Sequence, residues 1–202
     1  MKKVYIATSR KIGEKCRQWA TANLPPGYEI VEDSSQSDIF ISVLYDKILT
    51  PFFINSRKCF NFHPGILPQY RGAGAYSWVL INGDDKTGIT LHLMDDGIDS
   101  GDIIEIRAFP VDKKKDTAYT LYQRGEKTMF KMFADWFHNI LEGDYEAIKQ
   151  DESFAALYYR KDLSAIKDLS KYIRGLTFKD KESAYYVDNQ GNKKYIHFED
   201  NN

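Results

Sequence analysis

Asn61, His63 and Asp99 are the residues of this chain whose types and spacing could do chemistry together. Cys59 to Phe62 reads as the end of a short buried strand, and side chains alternate along a strand, so Asn61 and His63 share one face while Phe60 and Phe62 take the other. Two polar residues then stand on a face that should be core. Pro64 and Pro68 bracket the next stretch and restrict its backbone, so His63 leaves the strand into a rigid loop. Asp99 lies in the acidic, glycine-rich run Gly97-Ile98-Asp99-Ser100-Gly101-Asp102. An amide, an imidazole and a carboxylate, with no Ser or Cys in a nucleophile elbow, suit transfer of an activated acyl group to a nucleophile that the substrate brings. The Asn61 amide would steady the oxyanion of a tetrahedral intermediate, an effect of roughly 3–4 kcal/mol for one well-placed donor. His63 adds a second donor or moves a proton, and Asp99 orients the imidazole and helps accept or relay the proton an attacking amine must lose. Each residue also has an ordinary use: a hydrogen-bonded structural His, a loop-capping Asn, an Asx-turn Asp. Their joint placement favours chemistry.

The elements that must position these side chains fit a chain of 202 residues, 43% of them hydrophobic, long enough for one sizeable core. Short apolar runs at Val4 to Ala7, Tyr28 to Val31, Asp38 to Leu44 and Cys59 to Phe62 read as strands, with a helix from about Ile12 to Asn23. Ile39 to Leu44 is apolar on both faces, as in a mostly parallel sheet covered by helices, and its carboxyl end is a candidate ligand site. Further on, the sequence predicts a helix over Ala75 to Ile81, strands over Gly88 to Leu93 and Ile103 to Pro110, and a long helix from about Thr117 to Leu141. Beyond Gly143 it predicts a helix over Leu163 to Ile173 and a hairpin of Ala184 to Val187 with Lys194 to Phe198. The fold class is α/β: residues 1–143 as one main domain and residues 144–202 as a small helix and hairpin appendage.

Lys and Arg total 28 against 29 Asp and Glu, a formal charge of −1, so no overall field attracts a polyanion and a nucleic-acid partner is disfavoured. Two cysteines and no leader-like or long apolar stretch point to a reducing cytoplasm and no membrane. The carboxylates Asp95, Asp96, Asp99 and Asp102 invite a metal, but an EF-hand would need a ligand at Gly97 and a Glu at Ile106. A zinc site of His63, His92 and a carboxylate lacks any supporting spacing, so no metal is expected. Gly72 and Gly74 allow close backbone approach to a substrate, Tyr70 and Arg71 lie in a loop as ligand contacts, and Trp78 could add an aromatic wall. The core reading of Trp78 stands beside that one.

Four ordered blocks resemble the folate-dependent formyltransferases, which include glycinamide ribonucleotide, methionyl-tRNA and sugar-nucleotide N-formyltransferases. They are Tyr45 to Leu49, Asn61 to Gly72, Thr87 to His92 and Asp96 to Asp102. The resemblance implies a Rossmann-like formyltransferase fold, here with a trimmed amino-terminal sheet, and puts Asn61, His63 and Asp99 on the catalytic trio. It also implies N10-formyltetrahydrofolate as donor, with Tyr45, Lys47, Ile48 and Leu49 and the loop carrying Met94, Asp96, Gly97 and Ile98 around its pterin ring. Gln69 to Gly72 and the stretch from Arg160 through Phe178 look most like the sugar-nucleotide and tRNA branches, and the tRNA branch carries a basic carboxyl-terminal domain not found in these residues. A nucleotide-linked amino-sugar is therefore the expected substrate, giving a formamide of the kind used in surface polysaccharides. Rivals are glycinamide ribonucleotide formylation, a hydrolase that passes the formyl group to water, and an inert folate-binding protein. The tail hairpin could pair between two copies, giving a homodimer.

Overall fold

The computed structural model describes residues 1–165, 169–178, 184–187, 190 and 192–196. Its elements run β1 (Lys2–Ala7), α1 (Lys11–Ala22), β2 (Tyr28–Ile30), β3 (Ile39–Val43), α2 (Pro51–Asn55), β4 (Lys58–His63), β5 (Arg71–Gly72), α3 (Ala75–Asn82), β6 (Lys86–Leu93), β7 (Ile103–Pro110), α4 (Ala118–Glu142), β8 (Leu157–Tyr158), α5 (Leu169–Leu176), β9 (Tyr185–Val187) and β10 (Lys193–Tyr195). Six strands form one sheet in the order β2-β1-β3-β4-β6-β7. β2, β1, β3 and β4 run parallel, and β6 and β7 add an antiparallel edge. This is the α/β fold that the sequence predicts, and the order reverses at β1, placing ligand sites at the carboxyl ends of the central strands.

Every residue of β3 is buried, as its continuous apolar run requires. On one face Ile39, Ile41 and Val43 join Phe60 and Phe62 of β4 in the main core. α1 and α4 cover it. α1 buries Ile12, Cys16 and Ala20, one stripe at a spacing of four, while Trp19 meets Phe133 and Phe137 edge to face at 6.2 and 5.9 Å. From α4, Phe133 also reaches Phe62 at 5.5 Å. Each such Phe, fully buried, contributes on the order of 1.5–3 kcal/mol. Thr117 caps α4 through a reciprocal pair with Thr120, and Gly143, at φ 79°, ends it in the left-handed conformation.

The opposite face of the sheet is thinly covered. Phe40, Ala7, Cys59 and Ile54 form a second, small cluster there, flanked by Tyr5, Tyr45, Leu49, Phe53 and Met94. The five-residue α2 supplies Ile54 and Phe53. Cys59, Asn61 and His63 belong to this same face of β4, as alternation demands.

The carboxyl-terminal stretch differs from expectation in its helix and in the added strand β8. In place of one helix over Leu163 to Ile173, 3₁₀ turns occupy Arg160–Ala165 and α5 occupies Leu169–Leu176. Ser77 of α3 donates to the Gly175 carbonyl, and that contact docks the shifted helix. β9 and β10 pair antiparallel, with Tyr185 opposite Tyr195, whereas residues 188, 189 and 191 of the turn and the expected Phe198 end of this hairpin lie outside the described residues.

Candidate active site

Register brings the polar residues to one point. In the β4/β6 pair Asn61 stands opposite His92, and His63 opposite Thr90. All four share the thinly covered face. Asp99 arrives from the β6–β7 loop, with φ 51°, a left-handed conformation that Asp tolerates better than most residues. The loop closes on itself: Gly97 N–H and Ser100 Oγ both donate to Asp95 Oδ1, at 3.1 and 2.7 Å, and Leu93 N–H donates to the Asp102 carbonyl at 2.9 Å. Part of the acidic cluster is therefore loop architecture.

Asp99 is the hub. Its Oδ2 accepts the Gly72 N–H at 2.8 Å and lies 3.3 Å from His63 Nδ1. Its Oδ1 accepts from Asn61 Nδ2 at 3.2 Å and lies 3.6 Å from His92 Nε2. Burial alone would raise its pKa, but the two imidazoles and the Gly72 N–H outweigh burial and hold the carboxyl well below the usual carboxylate range. Asp99 is thus ionised at neutral pH.

His63 is 3% exposed, and its Nε2 lies 2.7 Å from the Tyr70 carbonyl, which can only accept. Nε2 therefore carries the proton. Burial pushes the imidazole below its ordinary 6.5, against the pull of Asp99. Neutral His63 consequently presents a bare Nδ1 beside the Asp99 carboxylate, a pair that can share one incoming proton.

His92 has a role that the sequence reading passed over when it weighed this residue only as a metal ligand. Its Nδ1 sits 2.6 Å from the Leu93 carbonyl, which fixes a proton there and leaves Nε2 an acceptor for Asn61 Nδ2 at 3.1 Å. Both N–H bonds of the Asn61 amide are then directed, one to His92 and one to Asp99. The signal was legible: Thr90 and His92 alternate with Ile89 and Leu91 as Asn61 and His63 alternate with Phe60 and Phe62. Among the described residues no group of three His, Cys, Asp or Glu side chains is placed to hold a metal ion.

The other candidates divide. Tyr45, Leu49 and Met94 pack against the small cluster of Ala7, Phe40, Ile54 and Cys59 on the thinly covered face. Lys47, Ile48, Asp96, Gly97 and Ile98 are exposed around it, with Ile48 at 96% and Ile98 at 48%, and nearby Phe52 of α2 is 84% exposed. So large an apolar rim is suited to cover by a flat ligand. Asn55 Nδ2 ties α2 to Asp96 at 3.1 Å.

Two substrate candidates need correction as side chains. The Tyr70 and Trp78 rings are buried, both stacked on Tyr158 at 5.4 and 4.8 Å, and the Tyr70 hydroxyl bonds Asp84. Tyr70 serves the site through its carbonyl, and Trp78 is core. Gly72 serves through its N–H, at φ 88°, where a Cβ would overlap the Tyr158 carbonyl of the adjoining β8. Gly74 takes φ 84° at the start of α3. The Arg71 guanidinium forks onto Glu152 at 2.6 and 3.0 Å and onto Gln150 Oε1 at 2.8 and 3.1 Å.

Residues 24–135 match the family model described as formyl transferase. A methionyl-tRNA formyltransferase from Citrifermentans bemidjiense is 29% identical over 153 residues, 69% of this chain and 47% of that protein. One from Geobacter sulfurreducens is 36% identical over 118 residues, 57% of this chain and 37% of that protein. The chain thus spans less than half the length of these curated relatives. Among solved structures, a sugar N-formyltransferase from a Shewanella species superposes with a TM-score of 0.84 at 22% identity, covering 98% of this chain and 97% of that one. A sugar 3N-formyltransferase solved in the presence of dTDP and 5-N-formyl-THF gives 0.74 at 26% identity, covering 87% and 79%.

Proposed function

Because this chain belongs to the formyl transferase family, we propose that it is an N-formyltransferase that moves a formyl group from N10-formyltetrahydrofolate to the amine of a nucleotide-linked amino-sugar. The observation that carries this reading is the convergence of Asn61, His63 and Asp99 within 3.2 and 3.3 Å at the end of β4. The donor supplies an activated formyl carbon. Tyr45, Leu49 and Met94, with Ile48 and Ile98 at the rim, offer the apolar surface that a flat pterin ring requires, and Lys47, Asp96 and Gly97 complete the exposed edge.

The residues divide the work. A neutral amine attacks the formyl carbon, and the new C–N bond leaves an oxyanion and a positively charged nitrogen. Asn61 turns an N–H from Asp99 Oδ1 to the oxyanion, while its second N–H stays on His92. Asp99, 15% exposed and so the more open of the pair, receives the amine proton and shares it with His63 Nδ1. The imidazolium that forms is matched on both nitrogens, by Asp99 and by the Tyr70 carbonyl. Collapse of the oxyanion breaks the bond to N10, which takes the proton held between Asp99 and His63 and leaves as tetrahydrofolate.

The amino-sugar acceptor is supported by the sugar 3N-formyltransferase structure, solved with dTDP present, and by a formal charge of −1 that offers no field for tRNA. The second reading is methionyl-tRNA, favoured by the curated relatives. In the first reading residues 1–143 carry the chemistry, residues 144–202 finish the rim and tail, and the β9–β10 hairpin pairs two copies as a homodimer. The buried free thiols of Cys16 and Cys59 suit a reducing cytoplasm, and no helix among the described residues is long and apolar enough to cross a membrane. Incubation with the donor and a panel of dTDP-, UDP- and GDP-linked amino-sugars, glycinamide ribonucleotide and methionyl-tRNA, read by mass spectrometry, tests the acceptor. A one-formyl gain on an amino-sugar nucleotide is expected; a gain on methionyl-tRNA alone overturns the sugar reading.

A further inference from the structure

Gln150 lies between α4 and β8, outside every motif of the sequence, yet it is 6% exposed and all of its hydrogen-bonding groups point at the site. Its Nε2 donates to the Asp99 carbonyl at 2.8 Å and to the Gly101 carbonyl at 2.7 Å. Its Oε1 accepts from Arg71 Nε at 3.1 Å and Nη2 at 2.8 Å. Carbonyls only accept and a guanidinium only donates, so chemistry fixes which way the amide points. The segment carrying it is itself anchored, since Ile148 and Ile103 exchange backbone hydrogen bonds at 2.8 Å in both directions.

Asp99 needs such a grip. It holds φ 51°, a conformation that non-glycine residues keep only where surroundings impose it, and its carboxylate must span Asn61, His63 and the Gly72 N–H at once. Gly101, gripped by the same amide, passes so close to the Leu93 carbonyl that no Cβ fits there. Arg71, on the other side of Gln150, adjoins Gly72. One carboxamide therefore ties together the two segments, Asp99–Gly101 and Arg71–Gly72, whose separation sets where the Asp99 carboxylate stands.

We propose that Gln150 is a positioning residue for formyl transfer: it holds the Asp99 backbone in its left-handed turn so that the carboxylate meets His63 and Asn61. The proposal rests on the formyl-transfer reading for its rate effect, but its effect on His63 is independent of that reading. Without Gln150 the loop relaxes, the carboxylate leaves Nδ1, and the charge that opposes burial at His63 is lost. A displacement of about 1 Å in such a site costs on the order of 100-fold in rate.

Two variants separate this role from a simple staple. Gln150→Glu keeps the oxygen that binds Arg71 but turns a second oxygen on the Asp99 and Gly101 carbonyls; Gln150→Met keeps the length and makes neither set of bonds without adding charge. Each is compared with the wild type by kcat and donor KM, by melting temperature, and by ¹⁵N NMR titration of His63. The expected result in both is a kcat lower by about 30- to 100-fold and a donor KM within threefold, and in Gln150→Met, which adds no charge, a His63 titration moved to lower pH. If Gln150→Glu does not fold, Gln150→Met alone decides. A kcat within threefold of wild type, or a lower kcat in Gln150→Met with an unmoved His63 titration, overturns the proposal and leaves Gln150 a staple. If the wild type itself transfers no formyl group, the functional reading fails, and the His63 titration still tests the contact: a shift supports it, and no shift overturns it.

Discussion

Replacing Asp99 by Asn keeps the side chain's shape and removes its charge, and the geometry sets what that should cost. With its oxygen kept on the Gly72 N–H, the new amide nitrogen takes the place of Oδ1 and faces Asn61 Nδ2, donor against donor, so the one bond from Asn61 is lost while the Gly72 bond stays. The fold should therefore survive. What disappears is the charge 3.3 Å from His63 Nδ1. At an effective dielectric constant of about 20, two unit charges at that separation interact by about 5 kcal/mol. If the proton is about half transferred in the transition state, about 2.5 kcal/mol is lost, roughly 70-fold in rate; full transfer gives about 5 kcal/mol, roughly 5,000-fold. Steady-state release of tetrahydrofolate, followed by absorbance with acceptor present, gives kcat/KM, and fluorescence quenching by a non-transferable folate gives donor binding. The expectation is a loss of about 70- to 5,000-fold with donor binding unchanged. Because Asp99 favours the imidazolium, the acidic limb of the Asp99→Asn profile should also move to lower pH. Retention of more than a tenth of wild-type kcat/KM would refute the reasoning.

Three further outcomes follow from the same geometry. His92→Phe removes the acceptor that aims Asn61, and the loss of one such buried hydrogen bond, about 1–2 kcal/mol, should lower kcat by about tenfold, measured in the same assay. Gly72→Ala forces a Cβ against the Tyr158 carbonyl at a φ of 88° and should destabilise the fold by about 2–3 kcal/mol, seen as a melting temperature lower by about 5–10 °C. Stability should fall with acid below pH 6.5: the His63 pKa is depressed in the fold, so the unfolded chain binds its proton first, and stability present above 6.5 is lost as pH falls through the folded value. Melting temperatures between pH 7.5 and 5 should drop more steeply in the wild type than in His63→Gln, and equal slopes would contradict the assignment.

Periodicity made the central sheet readable. The continuous apolar run of β3 marks a central parallel strand, and alternation along β4 identifies both the core face and the polar face of the site. α2 escaped notice because five residues after the Thr50 cap are too few to show a helical period, although Thr50-Pro51 is a sound start signal. β5 and β8, two residues each, leave no trace in a sequence, and their pairing is what brings Tyr158 over Trp78 and Tyr70. That pairing buries the rings of two residues expected as ligand contacts. Gln150 was invisible for a different reason. A lone Gln in a polar stretch carries no pattern, and only the fold brings it to Asp99.

If Asn61, His63 and Asp99 pass a formyl group from a folate to an amine and not to water, the fate of the formyl carbon shows it. Donor labelled with ¹³C in the formyl group, mixed with the wild type and an amino-sugar nucleotide panel and followed by ¹³C NMR, counts the label in formamide against formate. Acceptor-dependent formamide is expected, with formate a minor product and both reduced in His63→Ala. Label appearing as formate at the same rate with or without acceptor would contradict it, and label left on the folate in every mixture would point to a protein that binds the donor without using it.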